Sequence, residues 1–244
     1  MKLHLSLKIL IVWSLGVCGV VASAQTQEDP PLVEVELSQD NLAPYVERRD
    51  NSGVYFGIAY EGVDLKNYIS VLDGVNQSYA SIFGSNPVPL IRLNVDYKYN
   101  TALGSIAAGI DLGTGQLSGT VNGVTHDLSL LKYGVGLKWT LDNLWTEPYV
   151  APYVGINFWQ MGIKEKTPTD NFDMTTDFGY NYTLGFLFQL DWLDYDSSKT
   201  STWDWGIENT FVDVYATQYA KTMSDADPNT ETDFLYGAGL RLEF

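Results

Sequence analysis

Residues 90–100 read LIRLNVDYKYN. From Ile91 onward every second side chain is aliphatic or aromatic (Ile91, Leu93, Val95, Tyr97, Tyr99), and those between are charged or amide-bearing (Arg92, Asn94, Asp96, Lys98). A period of two places the sets on opposite faces of a β-strand. In a water-soluble sheet the charged face would meet solvent. The rest of the chain decides which face does so here.

Working outward, the alternation recurs on both sides. Residues 53–62 (GVYFGIAYEG) set Phe56, Ile58 and Tyr60 against Gly57, Ala59 and Glu61. Residues 104–112 set Ile106, Ala108, Ile110 and Leu112 against Ala107, Gly109 and Asp111. Residues 131–139 (LKYGVGLKW) set Leu131 through Trp139 against Lys132, Gly134, Gly136 and Lys138. A fifth segment runs from Tyr149 to Trp159 and a sixth from Phe178 to Trp192. The seventh, WDWGIENTFVDVY (203–215), puts Trp203, Trp205, Ile207 and Phe211 on one face, but Asn209 with them, and Glu208 on the other, unless a bulge near Glu208 switches the faces there. The eighth is YGAGLRLEF (236–244), where Arg241 and Glu243 alternate with Leu240, Leu242 and Phe244.

The polar faces mix charges with Gly, Ala, Asn and Thr, whereas the apolar faces are large. Numbering the strands up and down, Phe56, Tyr97, Tyr99, Trp139, Trp192, Trp203 and Phe244 fall at one end. Tyr60, Phe158, Phe178, Tyr180, Phe234 and Tyr236 fall at the other, with aliphatics between. Two aromatic girdles about an aliphatic band suit a bilayer, and a sandwich core has no reason to arrange itself so. Connections at the upper end (62–88, 113–126, 161–175, 217–233) are longer than those at the lower end (100–103, 140–148, 193–202). Lipid also tolerates no open sheet edge. The expected fold is therefore all-β: an eight-stranded antiparallel up-and-down transmembrane β-barrel over residues 53–244, with its charged faces inside.

The start of the chain fits. Lys2, His4 and Lys8 precede an apolar run from Ile9 to Val21 and a small-residue site at Ala22-Ser23-Ala24, which predicts a cleaved export signal over residues 1–24. The single cysteine, Cys18, lies inside that signal after Val17, a poor context for lipidation. The mature chain is thus expected to hold no disulfide. Residues 25–52 are polar and Pro-containing, and read as a largely extended periplasmic extension. Without the two lysines of the signal, 12 basic side chains face 30 acidic ones, which argues against binding nucleic acid.

Gly239, Leu242 and Phe244 at this spacing resemble the C-terminal signal by which outer-membrane barrels are recognised for assembly. Residues 53–244 as a whole resemble a small barrel of the OmpA/OmpX type, without the C-terminal periplasmic domain of full OmpA. The resemblance implies the outer membrane of a Gram-negative bacterium, contact with outer-membrane lipid and lipopolysaccharide, and engagement of the barrel-assembly machinery through the last strand. A monomer is the default reading, and no cofactor is expected.

Chemistry-bearing residues are few. His126 in THDLS lies beside Asp127 and Ser129 and matches no catalytic motif, so it reads as an exposed loop histidine. In SDADPNTETD (224–233), Asp225, Asp227, Asn229, Glu231 and Asp233 alternate, but the calcium-loop pattern is incomplete. Loosely bound divalent cations bridging this loop to lipopolysaccharide phosphates are the expectation. Leu65, Tyr68, Ile69, Leu72, Val75, Tyr79, Ile82 and Phe83 recur at helical spacing, predicting a helix broken near Gly74 that packs on the barrel rim.

Glu61, Arg92, Asp96, Asp111, Lys132, Glu208 and Arg241 fall on the interior faces. Confined charges should pair, and neighbouring strands offer Glu61–Arg92, Asp111–Lys132 and Glu208–Arg241. An eight-stranded interior has room for little beyond side chains. The expected role is structural or surface-interacting through the external loops. A narrow channel for ions or small solutes is the first alternative, and a lipid-modifying enzyme the second.

Overall fold

The period-two faces close into a ring. In the computed structural model, which describes residues 42–74 and 76–244, the barrel strands are β1 (Ser52–Val63), β2 (Val88–Thr101), β3 (Gly104–Val121) and β4 (Val124–Thr140), followed by β5 (Val150–Lys166), β6 (Gly179–Gln189), β7 (Asn209–Tyr219) and β8 (Leu235–Glu243). Each pairs antiparallel with its neighbour in sequence, and β8 returns to β1 from Tyr55↔Glu243 to Glu61↔Gly237. The export signal and residues 25–41 lie outside the described residues.

The register fixes the geometry. Stepping from Asn51 to its backbone partner Asn100, then through Ser105, Thr140, Tyr153, Gly185, Tyr215 and Gly237, returns to Glu61, ten residues further along β1. With about 3.3 Å per residue and about 4.8 Å between strands, a ten-residue shear tilts the strands by about 41° and sets a backbone radius of about 8 Å. An even shear also keeps every inward residue in phase with the next. At that tilt about ten residues cross a 25 Å apolar band. The strands β3, β4 and β5, at 18, 17 and 17 residues, therefore rise well beyond it.

The exterior is apolar. Phe56, Ile58, Leu93, Val95, Ile110, Val135, Leu137, Val154, Leu184, Phe186 and Leu240 are all exposed, and the aromatics of both expected girdles lie on the outer surface. Arg92, Asp96, Lys98, Asp111, Lys132, Lys138, Asp213 and Arg241 are buried inside. Among the described residues no helix is long and apolar enough to cross a membrane.

Several expectations are corrected. The second upper connection is not a loop from 113 to 126. The β3–β4 ladder continues to Val121↔Val124 and turns on Asn122 and Gly123 at φ 51° and 80°, the doubly left-handed geometry an Asn-Gly pair supplies most readily. The lower connection before β7 is the longer one, holding helix α3 (Tyr195–Trp205). Asp194 caps α3 by accepting from Ser197 N at 3.1 Å, and Gly206 ends it in a left-handed conformation. Trp203 and Trp205 are thus helical, β7 begins at Asn209, and Phe211 points inward and is fully buried. No bulge is needed to place Glu208, which precedes the strand.

The first upper loop is not a broken helix. It forms a small hairpin (Ile69–Ser70 with Gln77–Ser78), a 3-10 turn (Leu72–Gly74) and a short helix α2 (Tyr79–Phe83). Leu65, Tyr68, Tyr79, Ile82 and Phe83 then descend into the upper mouth, meeting Leu90, Leu128, Leu130, Trp159, Met161 and Ile163 from the wall. Within the described end of the extension, Tyr45–Arg48 form a helical turn, α1.

Candidate functional site

The lumen is the site. Its middle holds Arg92, Lys132, Lys138 and Arg241 against Glu61, Asp96, Asp111 and Asp213, four charges of each sign, all buried. Arg92 is the hub. Its guanidinium reaches Glu61 at 2.6 Å, forks onto Asp111, and donates to the Tyr215 hydroxyl at 3.1 Å. Lys132 closes the ring, 3.2 Å from Asp111 and 3.0 Å from the Tyr219 hydroxyl, which itself donates to Glu61 at 2.6 Å. The expected pairs Glu61–Arg92 and Asp111–Lys132 are therefore one network rather than two bridges.

Below it Lys138 pairs with Asp96 at 2.5 Å, and Asn94 donates to the same carboxylate at 2.9 Å. The expected pair Glu208–Arg241 does not form. Arg241 bonds Asp213 on β7 at 2.5 Å, and Tyr153 donates to that carboxylate at 2.8 Å. Glu208 instead meets Arg48 outside the barrel. The reason is the register of β7: with the strand starting at Asn209, the inward series runs Asn209, Phe211, Asp213, Tyr215. Tyrosine rings fill the space the charges leave. Opposite Tyr215 stands Gly237, where any Cβ would meet the ring, and Gly185 yields to Tyr153 in the same way. A void among Arg92, Asn94, Lys138, Asn157 and Arg241 is about 20 Å³, room for one water.

Both mouths are closed. The upper one is sealed by the apolar first loop, which is tied down by a buried polar latch. Tyr68 donates to Glu165 at 2.6 Å, and the other carboxylate oxygen lies 2.7 Å from His126 Nδ1. Burial and the adjacent Glu165 push the Tyr68 phenol well above its ordinary pKa, so it stays a donor. His126 is thus not an exposed loop residue but an inward, buried member of β4. Asp127 and Ser129 point to the opposite face of the same strand, so THDLS cannot assemble a Ser-His-Asp triad. At the lower mouth Lys98 bonds Glu243 and Asp142, the latter at 2.9 Å, beneath the buried ring of Tyr45.

Lys98, Lys138, Asp213 and Glu243 were missing from the expected network. All but Asp213 stand on period-two faces already visible in the sequence, and Asp213 was hidden by the misplaced start of β7. In the fourth upper loop Asp225 pairs with Lys221, Asp233 with Lys66, and Asp227 accepts from Asp177 N. Among the described residues no three His, Cys, Asp or Glu side chains converge as metal ligands. Of the expected assembly signal, Gly239 and Leu242 lie in β8, and Phe244 exchanges both backbone hydrogen bonds with Val54, at 2.8 and 2.9 Å.

The chain matches no protein-family model and no curated protein sequence. The chain is similar to several solved structures at low identity. Ail, the attachment invasion locus protein of Yersinia pestis, is 10% identical over 79% of this chain and 97% of its own, with a TM-score of 0.39. Neisserial surface protein A is 12% identical over 80% and 98%, at 0.44. The outer membrane protein OprG from Pseudomonas aeruginosa is 13% identical over 80% and 97%, at 0.45. The barrel assignment here rests on the strand pairing itself.

Proposed function

We propose that this chain is an integral outer-membrane barrel of a Gram-negative bacterium, with a closed lumen and a surface-interaction role carried by its external structure. The observation that carries the reading is the coincidence of an apolar exterior with an interior whose middle holds four cations and four anions in mutual pairs, shut at both mouths by the chain's own side chains. Ions crossing such a lumen would have to part buried pairs and leave charges uncompensated, a state that typically costs about 3–5 kcal/mol when one partner of a buried pair is removed. A conducting role is disfavoured on that ground. The ordered bulk beyond the bilayer is the upper sheet: the ends of β3, β4 and β5 with the short strand Asn171–Thr175 paired to β5. This is the part that reaches lipopolysaccharide or another surface, and its acidic loops attract divalent cations loosely. The last strand, with Gly239, Leu242 and Phe244, serves recognition by the barrel-assembly machinery.

Single-channel recording on the refolded mature chain tests the reading. Current should be small and intermittent in the intact protein and after deletion of residues 66 to 84, because the charge network remains. Steady, long-lived conductance in the intact protein would overturn the closed lumen in favour of a channel.

A further inference from the structure

The lower mouth is built around a side chain from outside the barrel. Tyr45 is fully buried although it precedes β1 and belongs to a single helical turn. Its hydroxyl donates to Glu243 Oε1 at 2.7 Å and accepts from Lys98 Nζ at 2.5 Å. Its ring lies 5.3 Å from the Lys98 ammonium and 5.6 and 5.9 Å from the guanidinium carbons of Arg48 and Arg49, within cation–π range. Burial first, and then Glu243, hold the phenol well above its ordinary pKa, which keeps it a donor to that carboxylate.

The backbone carrying Tyr45 is strapped to each of the lower connections. Arg49 donates to the Thr101 carbonyl at 2.6 Å and lies 3.2 Å from Asp142. Tyr45 N donates to Glu147 at 2.9 Å, and Arg48 pairs with Glu208. The groups gathered at the Tyr45 hydroxyl come from separate elements: Lys98 on β2, Glu243 on β8 and Asp142 after β4, with Tyr55 on β1 donating to the same Asp142 carboxylate. Lys98 and Glu243 stand on the two strands that flank β1, so the hydroxyl's donor and acceptor come together only when β8 has paired with β1.

We propose that the lower mouth is a phenol-binding site whose resident ligand is the Tyr45 side chain, and that Pro44–Arg49 is a plug held in cis that docks only once β8 has closed on β1. The ligand class follows from the cradle. A flat ring is called for by the cations stacked on it, and a hydroxyl by a carboxylate acceptor beside an ammonium donor. An aliphatic side chain would leave Lys98 and Glu243 facing an apolar surface.

The test uses the refolded mature chain in detergent micelles, with folding checked by the mobility difference between unheated and boiled protein. Lys98 is fully buried. Trinitrobenzenesulfonate, followed by peptide mapping, should leave it unmodified in the intact protein. In Tyr45→Gly, Lys98 should be modified, and p-cresol should restore its protection at lower concentration than toluene. Tyr45→Phe keeps the ring and should stay protected. A double variant, Arg48→Ala with Arg49→Ala, removes the strap and both guanidinium groups from the ring while keeping the Tyr45 side chain, and should speed Lys98 modification. Lys98 remaining unmodified in Tyr45→Gly, p-cresol giving no protection, or an unchanged rate in the double variant would each overturn the proposal.

Discussion

Replacing Asp213 by Ala separates the interior partner of Arg241 from the one the sequence suggested. The side chains of Arg241 and Asp213 are 3% and 7% exposed. Among the described residues Asp213 is the only anion bonded to that guanidinium, whose Nε and Nη1 already lack partners. Removing the carboxylate leaves a buried cation facing tyrosine rings at 5.4 and 5.1 Å and takes the acceptor from Tyr153. Stranding a buried ion costs about 3–5 kcal/mol, and we expect about 4 kcal/mol here. Glu208→Ala breaks only the pair with Arg48, whose side chains are 31% and 13% exposed, and should cost about 0–1 kcal/mol. With a urea m-value of about 2 kcal/mol/M, Asp213→Ala should lower the unfolding midpoint by about 2 M and Glu208→Ala by less than about 0.5 M. The assay is tryptophan fluorescence during urea titration from lipid vesicles. The pair Asp213→Ala with Arg241→Met should recover most of the loss, because an apolar replacement leaves no charge stranded. Equal midpoints for the two single variants would refute the β7 register and the energetic argument together.

Further outcomes are expected. Tyr68→Phe removes a buried hydrogen bond to a carboxylate and should loosen the first loop by about 1.5–3 kcal/mol, read as faster tryptic cleavage at Lys66 with the barrel intact. Burial raises the pKa of Glu208 above 4.5 despite Arg48. A carboxyl raised in the folded state binds its proton more tightly there, so its contribution is complete below 4.5 and is lost as pH rises through the raised value. Glu208→Gln should accordingly gain stability relative to the parent between pH 4.5 and 7, and a relative loss over that interval would contradict the assignment. Arg92→Ala leaves Glu61 and Asp111 without their shared cation, and should cost more than Asp213→Ala in the same titration.

Alternation was readable wherever one face met hydrocarbon, because there the outer positions admit only large apolar residues. That is why β2 and the ring around it were legible from LIRLNVDYKYN. Beyond the band the outward face is wet and the pattern weakens. In residues 113–120 the polar Thr114, Gln116, Ser118 and Thr120 alternate with Gly113, Gly115, Leu117 and Gly119, so the outer half of β3 resembles a loop, although Asn122-Gly123 is a hairpin signal in plain view. The same weakening makes His126 read as a loop residue although it lies buried in β4. Before β7, Trp203, Trp205 and Ile207 imitate strand spacing, and the Ser- and Thr-rich run from Ser197 to Thr202 hides α3. Its cap at Asp194 and its stop at Gly206 were the signals available. The lower plug was least legible: the partners of the Tyr45 hydroxyl, Lys98 and Glu243, lie far from it in sequence, and its site exists only where distant segments meet.

The β3–β4 ladder also bears on the order of folding. It pairs neighbours in sequence from a two-residue turn at Asn122-Gly123 outward to Ser105↔Thr140, so each step closes a loop only slightly longer than the last. The β1–β8 seam joins Tyr55 to Glu243, nearly the full described length apart. Contacts of low sequence separation form early and those of high separation late. The long hairpin is therefore the natural nucleus, and the seam the slow final event. Weakening the Asn122-Gly123 turn should slow refolding while leaving the unfolding rate nearly unchanged. Weakening the seam should do the reverse.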